Sequence, residues 1–211
     1  KDTGLKLIAV SRCPNAKAFD KAAELSVKDG VLLYAFLQPN KAFRHIRRQP
    51  IINENARNIF RVNEAANISL LIDDSAYPDK AAMIKDIRNS NYDIVVINPL
   101  FHEKEPFSAN EVNSLKYKKN GARRLIVAEQ NISEATSGAY YWHQDWEIDN
   151  PSWLRRLSFA NKNGIITEYW NINWQRIMSE YFKSIVMINY DGVFFTGVNN
   201  FRYFEKLTPL E

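Results

Sequence analysis

The 211-residue sequence predicts an α/β fold of (β/α) TIM-barrel type, incomplete or rearranged, with about seven parallel strands. Three observations predict it. Short apolar runs alternate with helical patterns along the whole chain. The runs are continuous rather than alternating, as expected of a parallel sheet covered on both faces. Polar residues gather just after several runs, where strands of α/β barrels place their chemistry. Seven strands also suit an open, doubly wound sheet.

The elements follow in order. LKLIAV at 5–10 is a strand, and Asn15–Lys28 is a helix with Ala18, Phe19, Ala22, Ala23 and Leu25 on one stripe. Asp29-Gly30 ends that helix, and Val31–Leu37 is the second strand. Lys41–Ala66 reads as helical in pieces, broken at Pro50. Ile68–Ile72 is a strand, Asp79–Asn89 a helix and Tyr92–Ile97 a strand. Ser108–Lys119 is a helix opened by a capping box, Ser108 with Glu111 three residues on. Arg124–Ala128 is a strand, followed by a connection carrying Trp142, Trp146 and Trp153. Ile165–Trp170, Trp174–Ile188 and Val193–Phe195 complete the pattern as strand, helix and strand. No repeat or linker divides the chain, so residues 1–211 read as a single barrel-like domain.

Charge and composition narrow the function. A net charge of +4 is a weak preference for anionic partners. Arg44, Arg47 and Arg48 share a helical spacing and offer one basic face to such a partner. No aromatic-interleaved nucleic-acid motif accompanies them, so nucleic acid is not expected. A lone cysteine, Cys13, excludes an internal disulfide and a cysteine-rich metal site. No apolar run is long enough to span a membrane. The chain opens on Lys1 rather than Met, and we read it as a mature or trimmed product.

No metal or cofactor is expected. His45, His102 and His143 lie in no metal-binding spacing, and phosphate-loop, dinucleotide and nucleophile-elbow motifs are missing. The strand exits carry amides and hydroxyls instead: Asn98, then Glu129, Gln130, Asn131 and Glu134, then Asn171 and Asn173, then Thr196 and Asn199. Amides beside Trp and Tyr suit hydroxyl-rich ligands such as sugars. Asn also favours turns and caps on its own account.

From residue 55 to 205 the sequence resembles the glycoside hydrolase family 114 group, the endo-α-1,4-polygalactosaminidase-like barrels. The resemblance rests on NARNI (55–59), SNYDIVVINPLF (90–101), LKYKKNGARRLIVA (115–128), ISEA (132–135), YYW (140–142), PSWL (151–154), EYWNINWQ (168–175) and DGVFFTGVNNFRYFE (191–205). Residues 1–54 lie outside it. It implies a (β/α)₈-type barrel, secreted or bound to a bacterial envelope, that cleaves or binds amino-sugar polymers. Five positions that are acidic in the group are neutral here: Asn98, Thr136, Asn171, Thr196 and Asn199. Glu134 is retained, and Glu129 stands where the group has an aromatic residue. Asp191 is retained too, but ahead of its strand, where a structural turn role is expected. We expect the strands at 5–10 and 31–37 to fill barrel positions that later strands occupy in the group.

Glycoside hydrolysis generally uses two carboxyl groups, one giving a proton and one attacking or activating water. Asn and Thr keep the shape of Asp without its titration. The sequence therefore reads as a barrel that has lost hydrolysis and keeps a carbohydrate- or partner-binding pocket lined by Asn98, Asn131, Glu134, Trp170, Asn171, Thr196 and Asn199. One alternative is an active polysaccharide hydrolase using Glu129 and Glu134. Another is an interaction protein using the basic face.

Overall fold

The computed structural model describes residues 5–39, 42–46, 51–158 and 163–207. Strand β1 (Ile8–Arg12) leads into helix α1 (Ala16–Asp29) and strand β2 (Leu32–Phe36). The Asn15 side chain caps α1 by accepting from the Ala18 N–H, and Gly30 ends it at a positive φ of 66°. Next come β3 (Ile68–Leu71), α2 (Lys80–Arg88) and β4 (Ile94–Ile97). Asp79 caps α2 through the Ala82 N–H at 2.7 Å. A small hairpin of β5 (Leu100–Phe101) and β6 (Glu105–Pro106) precedes α3 (Ala109–Leu115). The capping box on α3 forms as predicted, with Ser108 and Glu111 each accepting the other's backbone N–H. The chain continues through β7 (Leu125–Asn131), β8 (Glu134–Thr136), β9 (Leu154–Leu157) and β10 (Gly164–Thr167). Helix α4 (Ile172–Met187), strand β11 (Gly192–Thr196) and helix α5 (Phe201–Leu207) finish it.

The central sheet has four parallel strands in the order β11-β7-β4-β3. Apart from the short strands β5, β6 and β8–β10, that order follows the chain. Right-handed crossovers then place the connecting helices on one face of the sheet. Side chains alternate between the two faces. Leu71, Val95, Ile97, Ile126 and Ala128 pack on that helix-covered face with residues of α2, α3 and α4. Ile68, Leu70, Ile94, Val96, Leu125 and Val127 form the other face, closed by Ile59, Ala65 and Leu32. Burial on both faces is why these strands read as unbroken apolar runs.

Three expectations need correcting. Among the described residues the sheet does not close into a barrel: four parallel strands form one sheet, and β1 and β2 pair as a separate parallel sheet of two. The N-terminal strands therefore do not take positions in the main sheet. The Phe43 segment bridges the ends of β2 and β3: its N–H donates to the Tyr34 hydroxyl and its carbonyl accepts from Asp73 N–H.

Second, the strand expected at Ile165–Trp170 ends at Thr167 and lies in an antiparallel sheet ordered β8-β10-β9. Only residues 158–163 link β9 to β10, too few for a parallel crossover. The run is apolar throughout because Trp153, Trp174 and Leu154 bury it together with partly buried Trp142 and Trp146. Third, the described part of Lys41–Ala66 is irregular apart from one 3₁₀ turn at Val62–Glu64, and residues 41 and 47–50 lie outside the described residues.

This irregular segment is held beneath the sheet by a buried ion pair. Lys118 Nζ lies 2.5 Å from Asp93 Oδ1, with both side chains fully buried. Asp93 Oδ2 accepts from Ala66 N–H at 2.7 Å and from Asn55 Nδ2 at 3.0 Å. Lys118 donates onward to the Arg57 carbonyl at 2.9 Å. Asp191 does similar work ahead of β11, accepting from Arg123 at 2.7 Å and from Ile126 N–H at 2.9 Å. It holds a structural tie, as its position before the strand implies.

Removing one partner of a buried pair leaves the other charge uncompensated, at a cost of about 3–5 kcal/mol. Lys118→Met is expected to lower unfolding free energy by that amount in urea titrations. A loss under 1 kcal/mol would show that the pair does not secure the segment.

Candidate functional site

The parallel strands share one direction, so their C-terminal ends form a common rim. Ile97 of β4 pairs with Ala128 of β7, so Asn98 and Glu129 follow side by side. Phe194 pairs with Glu129, and Thr196 with Asn131. Alternation places Leu125, Val127, Glu129 and Asn131 on one face of β7. This face, opposite the helices, is thus apolar in mid-sheet and polar where it meets the rim.

Glu129 and Thr196 are joined there, with the Thr196 hydroxyl donating to Glu129 Oε1. Burial raises the Glu129 carboxyl to about 6; the Thr196 hydrogen bond opposes the shift and the charge of Glu134 adds to it. Among the described residues, nothing donates to Glu129 Oε2. The phenol of Tyr141 is pushed up to about 12, chiefly by burial, with Glu129 a minor contributor. Tyr181 is raised for the same two reasons. Both phenols stay protonated at neutral pH.

Glu134 is buried at the start of β8 and forms the hub of a neutral network. Its Oε1 accepts from Ser158 Oγ at 2.8 Å and from Asn200 Nδ2 at 2.9 Å. Its Oε2 accepts from Asn131 Nδ2 at 3.2 Å. Asn200 also donates to Ser133 Oγ at 2.9 Å, and Ser133 donates to the Gly197 carbonyl at 2.6 Å. Gly197 has φ of 77°, and a Cβ there would fall 2.2 Å from Asn131 Oδ1. Only glycine lets the chain leave β11 this close to β7. Trp174 Nε1 donates to the Ile132 carbonyl at 2.8 Å, anchoring the turn between β7 and β8.

The structure thus gathers Glu129, Asn131, Glu134 and Thr196 from the predicted set. Asn98 turns back to accept from Leu100 N–H at 2.9 Å. Asn171 caps α4 by accepting from Asn173 N–H at 3.0 Å. Asn199 is exposed in the 3₁₀ turn Val198–Asn200, and its neighbour Asn200 reaches inward instead. Trp170 lies beyond β10 and is 49% exposed. Asn200, Ser133 and Ser158 escaped the sequence reading. The Asn199-Asn200 doublet was the available signal, but the turn decides which amide faces in. Ser158 is too remote in sequence from Glu134 to be linked to it without the β8-β10-β9 sheet.

Of the proposed basic face, Arg44 is paired to Asp73 at 2.6 Å, while Arg47 and Arg48 lie outside the described residues. Among the described residues no group of three or more His, Cys, Asp or Glu is arranged to hold a metal ion. No helix among them is long and apolar enough to cross a membrane.

No protein-family model matches the chain. It is 27% identical over 152 residues to an uncharacterized protein of Methanocaldococcus jannaschii, covering 72% of this chain and 43% of that protein. It is 24% identical over 122 residues to an uncharacterized protein of Thermotoga maritima, covering 57% of this chain and 37% of the relative. The chain therefore spans less than half the length of these curated relatives. Among solved structures it is similar to the glycoside hydrolase domain of PelA from Pseudomonas aeruginosa, at 17% identity and a TM-score of 0.36. That likeness covers 53% of this chain and 39% of the domain.

Below pH 4.5 Glu129 is protonated both folded and unfolded. As pH rises through about 6, the unfolded chain releases the proton more readily than the fold does. Stability therefore falls across this window by about 2 kcal/mol, from 1.36 kcal/mol per pH unit. Glu129→Gln keeps an acceptor for Thr196 and removes the titration. It should be more stable than wild type by roughly 1–2 kcal/mol at pH 7 and equal to it near pH 4 in urea titrations. An unchanged or lower stability at pH 7 would show that Glu129 is not desolvated.

Proposed function

We propose that the rim around Glu129 and Glu134 is a binding site for a hydroxyl-rich ligand, a saccharide, on a scaffold that has lost hydrolysis. One observation carries the reading: both oxygens of Glu134 are already held by three neutral protein donors. A carboxylate so engaged holds β7, β8, β9 and the β11 exit together. It is poorly placed to attack an anomeric carbon or to draw a proton from water. The groups left open suit hydroxyls. Glu129 Oε2 and Asn200 Oδ1 receive no hydrogen bond from the described residues, and Asn131 and Thr196 flank them. The sequence blocks that resemble family 114 barrels support a glycan as the ligand, and amino-sugar polymers as the first class to try. A secreted or envelope location follows from the same resemblance.

A second reading is favoured by a specific observation. A glutamate raised to about 6 beside another carboxylate is the pattern of a general acid with its partner. Glu129 would then protonate the leaving oxygen and Glu134 would activate water.

Reducing-end release from an α-1,4-linked galactosamine polymer separates the two readings. No release between pH 4 and 8 is expected, while Asn200→Ala weakens binding of the polymer by up to about tenfold, the upper end of one neutral hydrogen bond. Release that disappears in both Glu129→Gln and Glu134→Gln would establish the hydrolase instead.

A further inference from the structure

A groove of about 790 Å³ runs along α2, from Asp79 at its start to Asn89 at its end. That volume falls within the roughly 300–1,000 Å³ usual for small-molecule sites. Ala81, Lys85 and Arg88 line it at spacings of four and three, so one face of α2 forms a wall. Glu105, Glu111 and residues 117–119 line the rest.

Charge is unevenly shared along this groove. Lys80 holds two of its carboxylates, Glu105 at 2.7 Å and Glu111 at 3.2 Å. The third, Asp79, caps α2 by accepting from the Ala82 N–H. Lys118 also lines the groove but is paired with Asp93. Lys85, Arg88 and Lys119 are exposed and have no ion-pair partner among the described residues. A place in the last turn of α2 explains positive charge at Lys85 and Arg88, because a helix C-terminus is partly negative. It does not explain Lys119, which comes from a separate loop.

The backbone that carries Lys119 is fixed against the end of α2. Lys119 N–H donates to the Ser90 carbonyl at 2.9 Å, and Asn120 N–H donates to Asn91 Oδ1 at 3.0 Å. The buried Arg124 guanidinium clamps both sides, donating to the Ser90 carbonyl at 2.9 Å and to the Tyr117 carbonyl at 2.7 Å. Tyr117, 58% exposed, is thereby tied to the residue two beyond Arg88. These contacts set the positions of three cations and an open phenol ring before any ligand arrives. They lie just ahead of β4 and β7, at the end of the sheet opposite Glu129.

We propose that this groove is a second binding site, for an organic phosphate of nucleotide type, with its phosphate oxygens on Lys85, Arg88 and Lys119 and its ring against Tyr117. The proposal is independent of the saccharide reading. One guanidinium and two ammonium groups call for more than a single negative charge, and a phosphate chain supplies several charges and acceptor oxygens in a small volume. Ala81, Ile84 and the Tyr117 ring give the uncharged body of the ligand an apolar surface. No glycine-rich phosphate loop is involved, since side chains supply the charge.

ADP, pyrophosphate and adenosine, titrated calorimetrically into the whole protein, test it. ADP is expected to bind with an affinity that falls as salt rises, pyrophosphate to bind more weakly, and adenosine to give no measurable binding. Arg88→Gln and Lys119→Gln should each weaken both phosphates by about tenfold, the low end of a hydrogen bond between charged groups. Tyr117→Ala should weaken ADP by about fivefold and leave pyrophosphate unchanged. Arg176→Gln removes an exposed cation of α4 outside the groove and should change neither. Melting curves report whether each variant is folded. Absence of binding by both phosphates, or a loss in Arg176→Gln equal to that in Arg88→Gln, overturns the site. Adenosine binding as well as ADP, or pyrophosphate binding as tightly as ADP with no effect of Tyr117→Ala, overturns the nucleotide assignment.

Discussion

The buried contact between Asp93 and Lys118 is the constraint on which the rest depends. It stands just ahead of β4, and its hydrogen bonds draw Asn55, Arg57 and Ala66 under the sheet. That fastening sets Ile59 and Ala65 over the sheet face opposite α2, α3 and α4, where they complete a core that no helix among the described residues covers. A charge pair with no exposure is costly to desolvate and tolerates little displacement. Asp191 adds a second tie at the same end of β11 through Arg123, Lys116 and the Ile126 N–H. With the N-terminal ends of the strands secured, the C-terminal ends are free to carry polar groups.

The polar rim follows from strand direction and pleat together. Parallel alignment brings the ends of β4, β7 and β11 to one edge, and the two-residue repeat decides which side chains face inward. Glu129 and Asn131 continue the face that Leu125 and Val127 began, so their polar atoms lie next to apolar core. That proximity desolvates Glu129 and accounts for its raised carboxyl. Glu134 is buried more deeply but is satisfied by three donors, so its burial secures backbone geometry. Two glutamates five residues apart thus have different physical jobs, one desolvated with an oxygen that no described residue donates to, the other a hub.

Neutral residues at the exits have consequences for packing as well as chemistry. Thr196 donates to Glu129, which an ionised aspartate at that position could not do. Asn131 and Asn200 donate to Glu134 for the same reason. Neutral donors join Glu129 and Glu134 to their neighbours in connected hydrogen bonds, and Gly197 supplies the close approach that lets them form. The antiparallel excursion β8-β10-β9 then brings Ser158 to Glu134.

The sequence alone determined the local elements. Asn15, Asp79 and the Ser108/Glu111 box mark helix starts because capping is a contact within a few residues. Unbroken apolar runs marked the four strands of the central sheet because burial on both faces leaves no room for polar alternation. The run at Gly164–Thr167 looked the same, yet its direction is opposite, since what covers it is a set of tryptophans from distant segments. Periodicity reports burial and not strand direction. Glu129, Asn131, Glu134 and Thr196 were legible as exit residues, whereas Asn200 and Ser158 were not. Which side chains meet across 24 to 67 residues is decided by register and turn geometry, and those exist only once the chain has folded.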